Sequence, residues 1–167
     1  MQRLDRDEVR RHIGADAGTL YALVSDVPRT PEWSPEVIAS AWTDRASGPT
    51  VGARFTAKNK RRWLTWSNRP VVTVAEPGRA FAIQRSEHGG GTVAWRYDFI
   101  PAAGGGTEVR QSYQVVQPVP LGLHWVLRVL FGVRDLRADL HANLETSLAR
   151  LAAIAEANAD SPAVEHL

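Results

Sequence analysis

Between residues 37 and 117 the sequence is divided into short segments of alternating apolar and polar residues, and turn-forming residues separate them. Alternation with a period of two puts successive side chains on opposite faces of a β-strand. The separators SGPTVG, EPG, HGGG and PAAGGG suit tight hairpin turns. Consecutive hairpins predict an antiparallel meander. With a first strand over 9–13, the predicted strands are 9–13, 37–44, 53–60, 63–76, 79–87, 92–100 and 108–117.

Two short helices are predicted between the first strand and the meander. Asp16 follows the first strand and is a predicted N-cap for a helix with leucines on one face. Pro28, Pro31 and Pro35 each remove a backbone donor and restrict the residue before them. They leave room for one further helical turn near 29–33.

A long helix is predicted over 134–158, which contains neither glycine nor proline and is rich in strong helix formers. At about 1.5 Å per residue this helix is over about 30 Å long, enough to cross a sheet. A sheet curled around it would leave a cavity between the two. Asn143 and Ser147 face either that cavity or the edge of the helix. The apolar face of the helix consists of Leu136, Leu140, Leu144, Leu148, Leu151 and Ile154.

Composition excludes several classes of protein. The 167 residues suit a single domain over 1–158 with a frayed tail over 159–167. The net charge of +2 comes from scattered basic residues, so no nucleic-acid partner is expected. Because cysteine is absent and the five histidines are dispersed, neither a metal nor another cofactor is predicted. The charged N-terminus and the lack of a long apolar run indicate a cytoplasmic protein.

Five segments in order, followed by a long helix, resemble the START-like (SRPBCC) helix-grip superfamily, in its polyketide cyclase/dehydrase and lipid-transport branch. The segments are VSDVPRTPEWSPEV, VGARFTAKNKRRW, AEPGRAFAIQ, TVAWRYDF and GGGTEVRQSY. The resemblance covers residues 5–156 and implies an α+β fold, in which a seven-stranded curved antiparallel sheet wraps around the C-terminal helix. It specifies function poorly, because this superfamily contains lipid carriers, hormone receptors, aromatase/cyclases and hydroxylase domains.

The resemblance also implies a position for Trp33, which lies between two prolines and follows Asp26 in a shared pattern. This position is where the two short helices meet the sheet, near the cavity. In one interpretation Trp33 is a wedge that closes the core, and in the other it contacts a ligand. Asp26 is expected to be a cap or turn residue rather than a catalytic acid.

Three predicted strands each direct one polar side chain, Asn59, Arg85 or Gln111, toward an otherwise apolar and aromatic face. A buried polar group without a partner costs about 1–3 kcal/mol, so these groups must meet one another, water or a ligand. Alternatively, Arg85 reaches solvent and the two amides bond to backbone. The resemblance favours Trp66 as an inward residue, unless a bulge at Pro70 reverses the register. The predicted cavity residues are Trp33, Phe55, Asn59, Trp66, Phe81, Ile83, Arg85, Trp95, Tyr97, Gln111, Tyr113, Leu140, Asn143 and Leu144.

The most apolar segment is VPLGLHWVLRVLFGV, residues 119–133. It is too short and too polar to span a bilayer. One interpretation is an extra helical turn or two that caps the cavity. The other is a lid that makes transient contact with a membrane when an apolar ligand enters.

The resemblance, taken together with these residues, implies two candidate functions. The first is a binding or carrier protein for a hydrophobic small molecule such as a lipid, a quinone or a polyketide-like compound. The second is a polyketide aromatase/cyclase, in which Arg85 polarises a carbonyl and Tyr97 or Tyr113 relays a proton during enolisation. The cyclase requires Arg85 and a tyrosine hydroxyl to converge on one carbonyl, whereas a carrier does not. The sequence leaves the oligomeric state open.

Overall fold

The computed structural model describes residues 6–43, 45, 48–86, 91–118 and 136–160. Within these ranges the chain forms two α-helices, one 3₁₀ helix and eight strands. The helices are α1 (Ala17–Ser25), the 3₁₀ helix (Val27–Glu32) and α2 (Leu136–Asp160). The strands are β1 (Arg6–Ile13), β2 (Val37–Trp42), β3 (Phe55–Arg61), β4 (Leu64–Asn68), β5 (Val71–Glu76), β6 (Ala80–Ser86), β7 (Thr92–Pro101) and β8 (Thr107–Gln117).

The described strands form two antiparallel sheets. One has five strands in the order β1-β8-β7-β6-β5, and the other has three in the order β2-β3-β4. The prediction of a single strand over 63–76 is wrong, because Arg69 and Pro70 separate β4 from β5. The N–H of Phe55 instead donates to Pro70 O over 3.2 Å, and that of Val72 donates to Ala53 O over 2.9 Å. The chain therefore passes from one sheet to the other at this proline, which has no N–H to continue a ladder.

The fold is α+β, with a large antiparallel sheet and a C-terminal helix. Helix α2 packs chiefly against β1, with smaller contacts to β8 and α1. Leu144, Leu148 and Leu151 are fully buried on this face, as their spacing predicts. The prediction of one seven-stranded sheet wrapped around the helix is wrong, because the break at Pro70 divides the strands between two sheets.

Side-chain and backbone caps fix the two short helices. Asp16 is the N-cap of α1, as predicted, and its carboxylate accepts a hydrogen bond from Thr19 N over 2.9 Å. Hydrogen bonds from the Thr19 side chain and backbone lower the pKa of Asp16. At the other end the N–H of Asp26 donates to Ala22 O, and Asp26 O accepts from Arg29 N. Asp26 is thus a turn residue that directs the chain from α1 into the 3₁₀ helix.

A glycine-rich hairpin between β7 and β8 lies against the junction of β1 and α1. Thr107 Oγ1 donates to Ala15 O over 2.8 Å, and His12 Nε2 lies 2.9 Å from Gly105 O. Gly106 has φ 72°, and a Cβ there would lie 2.5 Å from Ile13 O. Only glycine fits this close approach. The apolar segment 119–133 lies outside the described residues.

Candidate functional site

A cavity of about 120 Å³ lies between the 3₁₀ helix, both sheets and α2. Strand alternation brings the inward residues of β3, β6 and β7 to it, and α2 contributes Asn143, Leu144 and Ser147. Most of the residues predicted for a cavity line this one: Trp33, Phe55, Asn59, Phe81, Ile83, Arg85, Trp95, Tyr97, Gln111, Asn143 and Leu144.

Three predicted residues, Trp66, Tyr113 and Leu140, do not line the cavity. Trp66 is half-buried opposite Asn59, but the cavity meets β4 only at its last residue. The ring of Tyr113 packs on the ring of Trp95, with 5.4 Å between their centroids. Of these two residues, Trp95 lines the cavity and Tyr113 does not. Leu140 packs against the core, about one turn before the helical residues that reach the cavity.

The sequence prediction missed two groups of lining residues. Alternation from Trp66 would have placed Asn68 on the same face of β4, so a signal for this residue was present. The residues around the prolines show neither helical nor strand periodicity, so the sequence does not assign their side chains to a face. They reach the cavity only in the folded chain. Ser147 lines the cavity, which is one of the two positions expected for it. The missed residues are Val24, Val27, Thr30, Ser34, Pro35, Glu36, Val37, Ser40, Asn68 and Pro70.

Aromatic rings form much of the lining. Trp33 is buried, with 2% of its surface exposed, and it also lines the cavity. The two interpretations of Trp33 are therefore compatible, because one face can close the core while another meets the cavity. The Arg85 guanidinium lies 5.6 Å from the centroid of the Trp95 ring, within range of a cation–π interaction. Arg85 accordingly packs on an aromatic wall of the cavity.

The hydroxyl of Tyr97 is surrounded by hydrogen-bonding groups. Gln111 Nε2 donates to it over 2.7 Å, and Ser147 and Trp33 also form hydrogen bonds with it. Burial raises the pKa of Tyr97 above its ordinary value and outweighs these hydrogen bonds, which lower it. The hydroxyl is therefore a protonated centre that connects β7, β8, α2 and the 3₁₀ segment.

The raised pKa of Tyr97 makes stability depend on pH in the alkaline range. The folded chain keeps the phenol proton at a pH where the unfolded chain, with a pKa of about 10, loses it. The contribution of Tyr97 to the free energy of unfolding is complete below about pH 10 and is lost as pH rises through the folded pKa. The free energy of unfolding falls by up to about 1.4 kcal/mol per pH unit in that range. We expect Tyr97→Phe to show a shallower loss between about pH 9 and 11 in denaturant unfolding. Identical slopes for both proteins would contradict this expectation.

Two buried amides on β3 and β4 form the second polar feature of the lining. Asn59 Nδ2 donates to Ala57 O over 3.3 Å and to Asn68 Oδ1 over 3.5 Å. Asn59 Oδ1 and Asn68 Nδ2 have no hydrogen-bond partner, and neither do Gln111 Oε1 and Trp95 Nε1. All four atoms belong to residues that line the cavity. The cavity is thus apolar with a few unpaired donors and acceptors, which is typical of a small-molecule site.

Two polar residues of the lining, Glu36 and Asn143, belong to a connected set of polar side chains. We call this set the polar bridge: Glu36, Arg61, Asp139 and Asn143. Asn143 Nδ2 on α2 donates to Glu36 Oε1 over 3.0 Å. Arg61 is the last residue of β3, and its Nη1 lies 3.7 Å from Glu36 Oε1. Its Nη2 donates a hydrogen bond to Asp139 Oδ2 over 2.5 Å. The bridge therefore connects the three-stranded sheet to α2 through side chains.

Metal clusters and membrane-spanning helices are both absent from the described ranges. No cluster of three or more histidine, aspartate or glutamate side chains there is arranged to hold a metal ion. None of the helices in those ranges combines the length and the apolar character that crossing a membrane requires.

Comparisons with known proteins agree with this architecture. The family model described as polyketide cyclase / dehydrase and lipid transport matches residues 6–156. A polyketide-cyclase-like protein from Corynebacterium glutamicum is 31% identical, with 99% of this chain and 100% of that chain covered and a TM-score of 0.60. No curated protein matches the sequence.

Two other solved structures share the fold at lower identity. A START superfamily protein from Mycobacterium smegmatis is 15% identical, with 92% of this chain and 98% of that chain covered and a TM-score of 0.67. A di-domain ARO/CYC protein from the steffimycin biosynthetic pathway is 18% identical, with a TM-score of 0.73. Here 93% of this chain corresponds to 52% of that longer chain.

Proposed function

This chain belongs to the polyketide cyclase/dehydrase and lipid-transport family, and from that premise we propose that it binds a hydrophobic small molecule in the cavity between its sheets and α2. The observation that carries this proposal is the set of buried polar atoms without partners in an otherwise apolar cavity. Each such atom costs about 1–3 kcal/mol unless something binds it. A ligand with an apolar body and a few polar atoms supplies what the lining lacks.

The geometry supports binding over cyclisation chemistry. The Tyr97 hydroxyl already has hydrogen bonds to Gln111, Ser147 and Trp33. Arg85 pairs with Val93 on β7, and Val93 is four residues from Tyr97. The Cα atoms of Arg85 and Tyr97 are therefore about 14 Å apart along the sheet. Tyr113 does not line the cavity. A guanidinium and a free tyrosine hydroxyl converging on one carbonyl are therefore not evident in this arrangement.

Filling the cavity tests the proposal. Ala57 is buried on β3 and lines the cavity, so Ala57→Leu places three additional carbon atoms in the space that the ligand would occupy. We expect wild-type protein to retain a hydrophobic compound through purification and the variant to lose at least about 90% of it, because overpacking a site of this size costs about 1–3 kcal/mol. Native mass spectrometry followed by denaturing extraction measures the bound compound.

Ala41→Leu is the matched control, because Ala41 is exposed on β2 and pairs with Thr56, the neighbour of Ala57. It should retain the compound at the wild-type level. If the wild-type protein purifies without a bound compound, binding is measured instead as the rise in melting temperature on adding a panel of fatty acids, quinones and naphthols. Equal occupancy in wild type and Ala57→Leu, or an empty wild type that no compound of the panel stabilises, would contradict the proposal.

A further inference from the structure

The amides of Asn59 and Asn68 face the cavity from paired strands. In the β3–β4 register Ala57 lies opposite Asn68, and Asn59 lies opposite Trp66, so both amides belong to one face of the sheet. Asn59 is 0% exposed and Asn68 is 4% exposed. Both line the cavity. Two amides thus lie side by side in a place that bulk water does not reach.

The orientation of each amide follows from one backbone carbonyl. Ala57 O accepts hydrogen bonds only, so the group of Asn59 that faces it is the NH₂. The same NH₂ also lies against Asn68, which must therefore present its oxygen there. The atoms left over are one acceptor, Asn59 Oδ1, and one donor group, Asn68 Nδ2, and both lack a partner. The pair consequently retains one unpaired acceptor and one unpaired donor group on two paired strands.

Among ligand groups, a hydroxyl satisfies both atoms through a single oxygen, as a water molecule does when no ligand is bound. Its proton can be donated to Asn59 Oδ1 while its oxygen accepts from Asn68 Nδ2. A carboxylate, a ketone or an ether accepts only, and leaves Asn59 Oδ1 unpaired in a buried site. An ammonium donates only, and leaves Asn68 Nδ2 unpaired. The chemistry of the pair therefore favours a neutral hydroxyl group.

The size of the cavity limits the rest of the ligand. An apolar protein cavity of about 150 Å³ holds benzene, and the cavity here is about 120 Å³. Its remaining lining includes Phe55, Phe81 and Trp95, which suit the faces and edges of an aromatic ring. The space is therefore of the order of one small ring.

We propose that Asn59 and Asn68 bind the hydroxyl group of the ligand, and that the cavity selects a phenol-type ring over the same ring without a hydroxyl. This inference rests on the proposed function, because it names the ligand class of the same cavity. The hydroxyl donates to Asn59 Oδ1 and accepts from Asn68 Nδ2, while the ring occupies the aromatic part of the lining.

Phenol and toluene are the probes that test this inference, since they differ by a hydroxyl in place of a methyl group. Isothermal titration calorimetry on wild-type protein should give phenol at least about tenfold higher affinity, because a site built for a hydroxyl leaves its polar atoms unpaired when toluene binds. In ¹⁵N-labelled protein, phenol should shift the side-chain amide resonances of Asn59 and Asn68 more than toluene does, because toluene acts on them through its ring current alone.

A variant reverses the expected preference. Asn68→Leu removes the donor while keeping a side chain of similar size, so toluene should bind at least as tightly as phenol. Ser67→Leu is the control, because Ser67 is exposed on the opposite face of β4 and the wild-type preference should remain. Where Asn68→Leu does not fold, the comparison of phenol with toluene on wild type decides by itself.

The outcomes separate this inference from the proposed function. Equal or tighter binding of toluene by wild type overturns the inference, and so does binding of larger hydrophobic compounds when neither single ring binds. Both results leave the proposed function intact. If no probe and no hydrophobic compound of the panel binds, the proposed function fails and the inference fails with it.

Discussion

Replacing Trp33 by alanine is expected to lower the free energy of unfolding by about 3–5 kcal/mol. The side chain is 2% exposed and ends the 3₁₀ helix, where its N–H donates to Thr30 O over 3.3 Å. Truncation removes a large buried aromatic surface and the hydrogen bond of the indole to Tyr97. Since a domain of this size is stable by about 5–15 kcal/mol, the loss is a large part of the total. Denaturant unfolding monitored by circular dichroism measures it.

Trp63→Ala is the matched control for this substitution. Trp63 is the same residue type but is 73% exposed, beyond the end of β3. Its removal should change stability by no more than about 0.5 kcal/mol, because exposed side chains away from special features contribute little. Equal losses for the two variants would show that Trp33 does not act as a wedge in the core.

The second large effect is expected for Gly106→Ala. A residue with φ 72° costs about 1–2 kcal/mol when it carries a Cβ. The added Cβ would also lie 2.5 Å from the backbone oxygen of Ile13, so β1 would have to move. Together these effects predict a loss of roughly 2–5 kcal/mol in the free energy of unfolding, measured by denaturant titration.

Neighbouring glycines separate the two causes of this loss. Gly105 has φ 93° with nothing within 4 Å of a Cβ, so Gly105→Ala should show the backbone cost alone. Gly104 has nothing within 4 Å of a Cβ, and its alanine variant should be neutral or stabilised by up to about 1 kcal/mol. If Gly106→Ala and Gly105→Ala lower the free energy of unfolding equally, the contact of the added Cβ with Ile13 O does not destabilise the protein.

Several parts of the site could be predicted from local sequence. Alternation along β3 and β6 assigns Phe55, Asn59, Phe81 and Arg85 to inward faces, because the side-chain period of a strand is fixed by its backbone. The N-cap at Asp16 was likewise predicted from residue type, since its carboxylate satisfies donors within the next three residues. These features depend on neighbours in the sequence.

Other parts depend on contacts between distant segments and could not be predicted. The sequence places Pro70 inside a predicted strand, where the effect considered is a bulge. The change from one sheet to the other depends on hydrogen bonds from Phe55 N to Pro70 O and from Val72 N to Ala53 O. Glu36 lies in a stretch without periodicity, and its position in the cavity is set by Asn143 and Arg61. Such residues acquire a role only when the chain has folded.

The polar bridge has a consequence for the rate at which a ligand exchanges. A ligand that passes between Glu36 and α2 must first separate Glu36 from Asn143 and Arg61. The charges of Arg61 and Glu36, which are partly exposed, attract one another less as salt is added, so the barrier to entry and the barrier to exit fall together. Equilibrium affinity then stays constant while residence time shortens. The ionic strength around the protein would set how long a bound molecule is retained, independently of how tightly it binds.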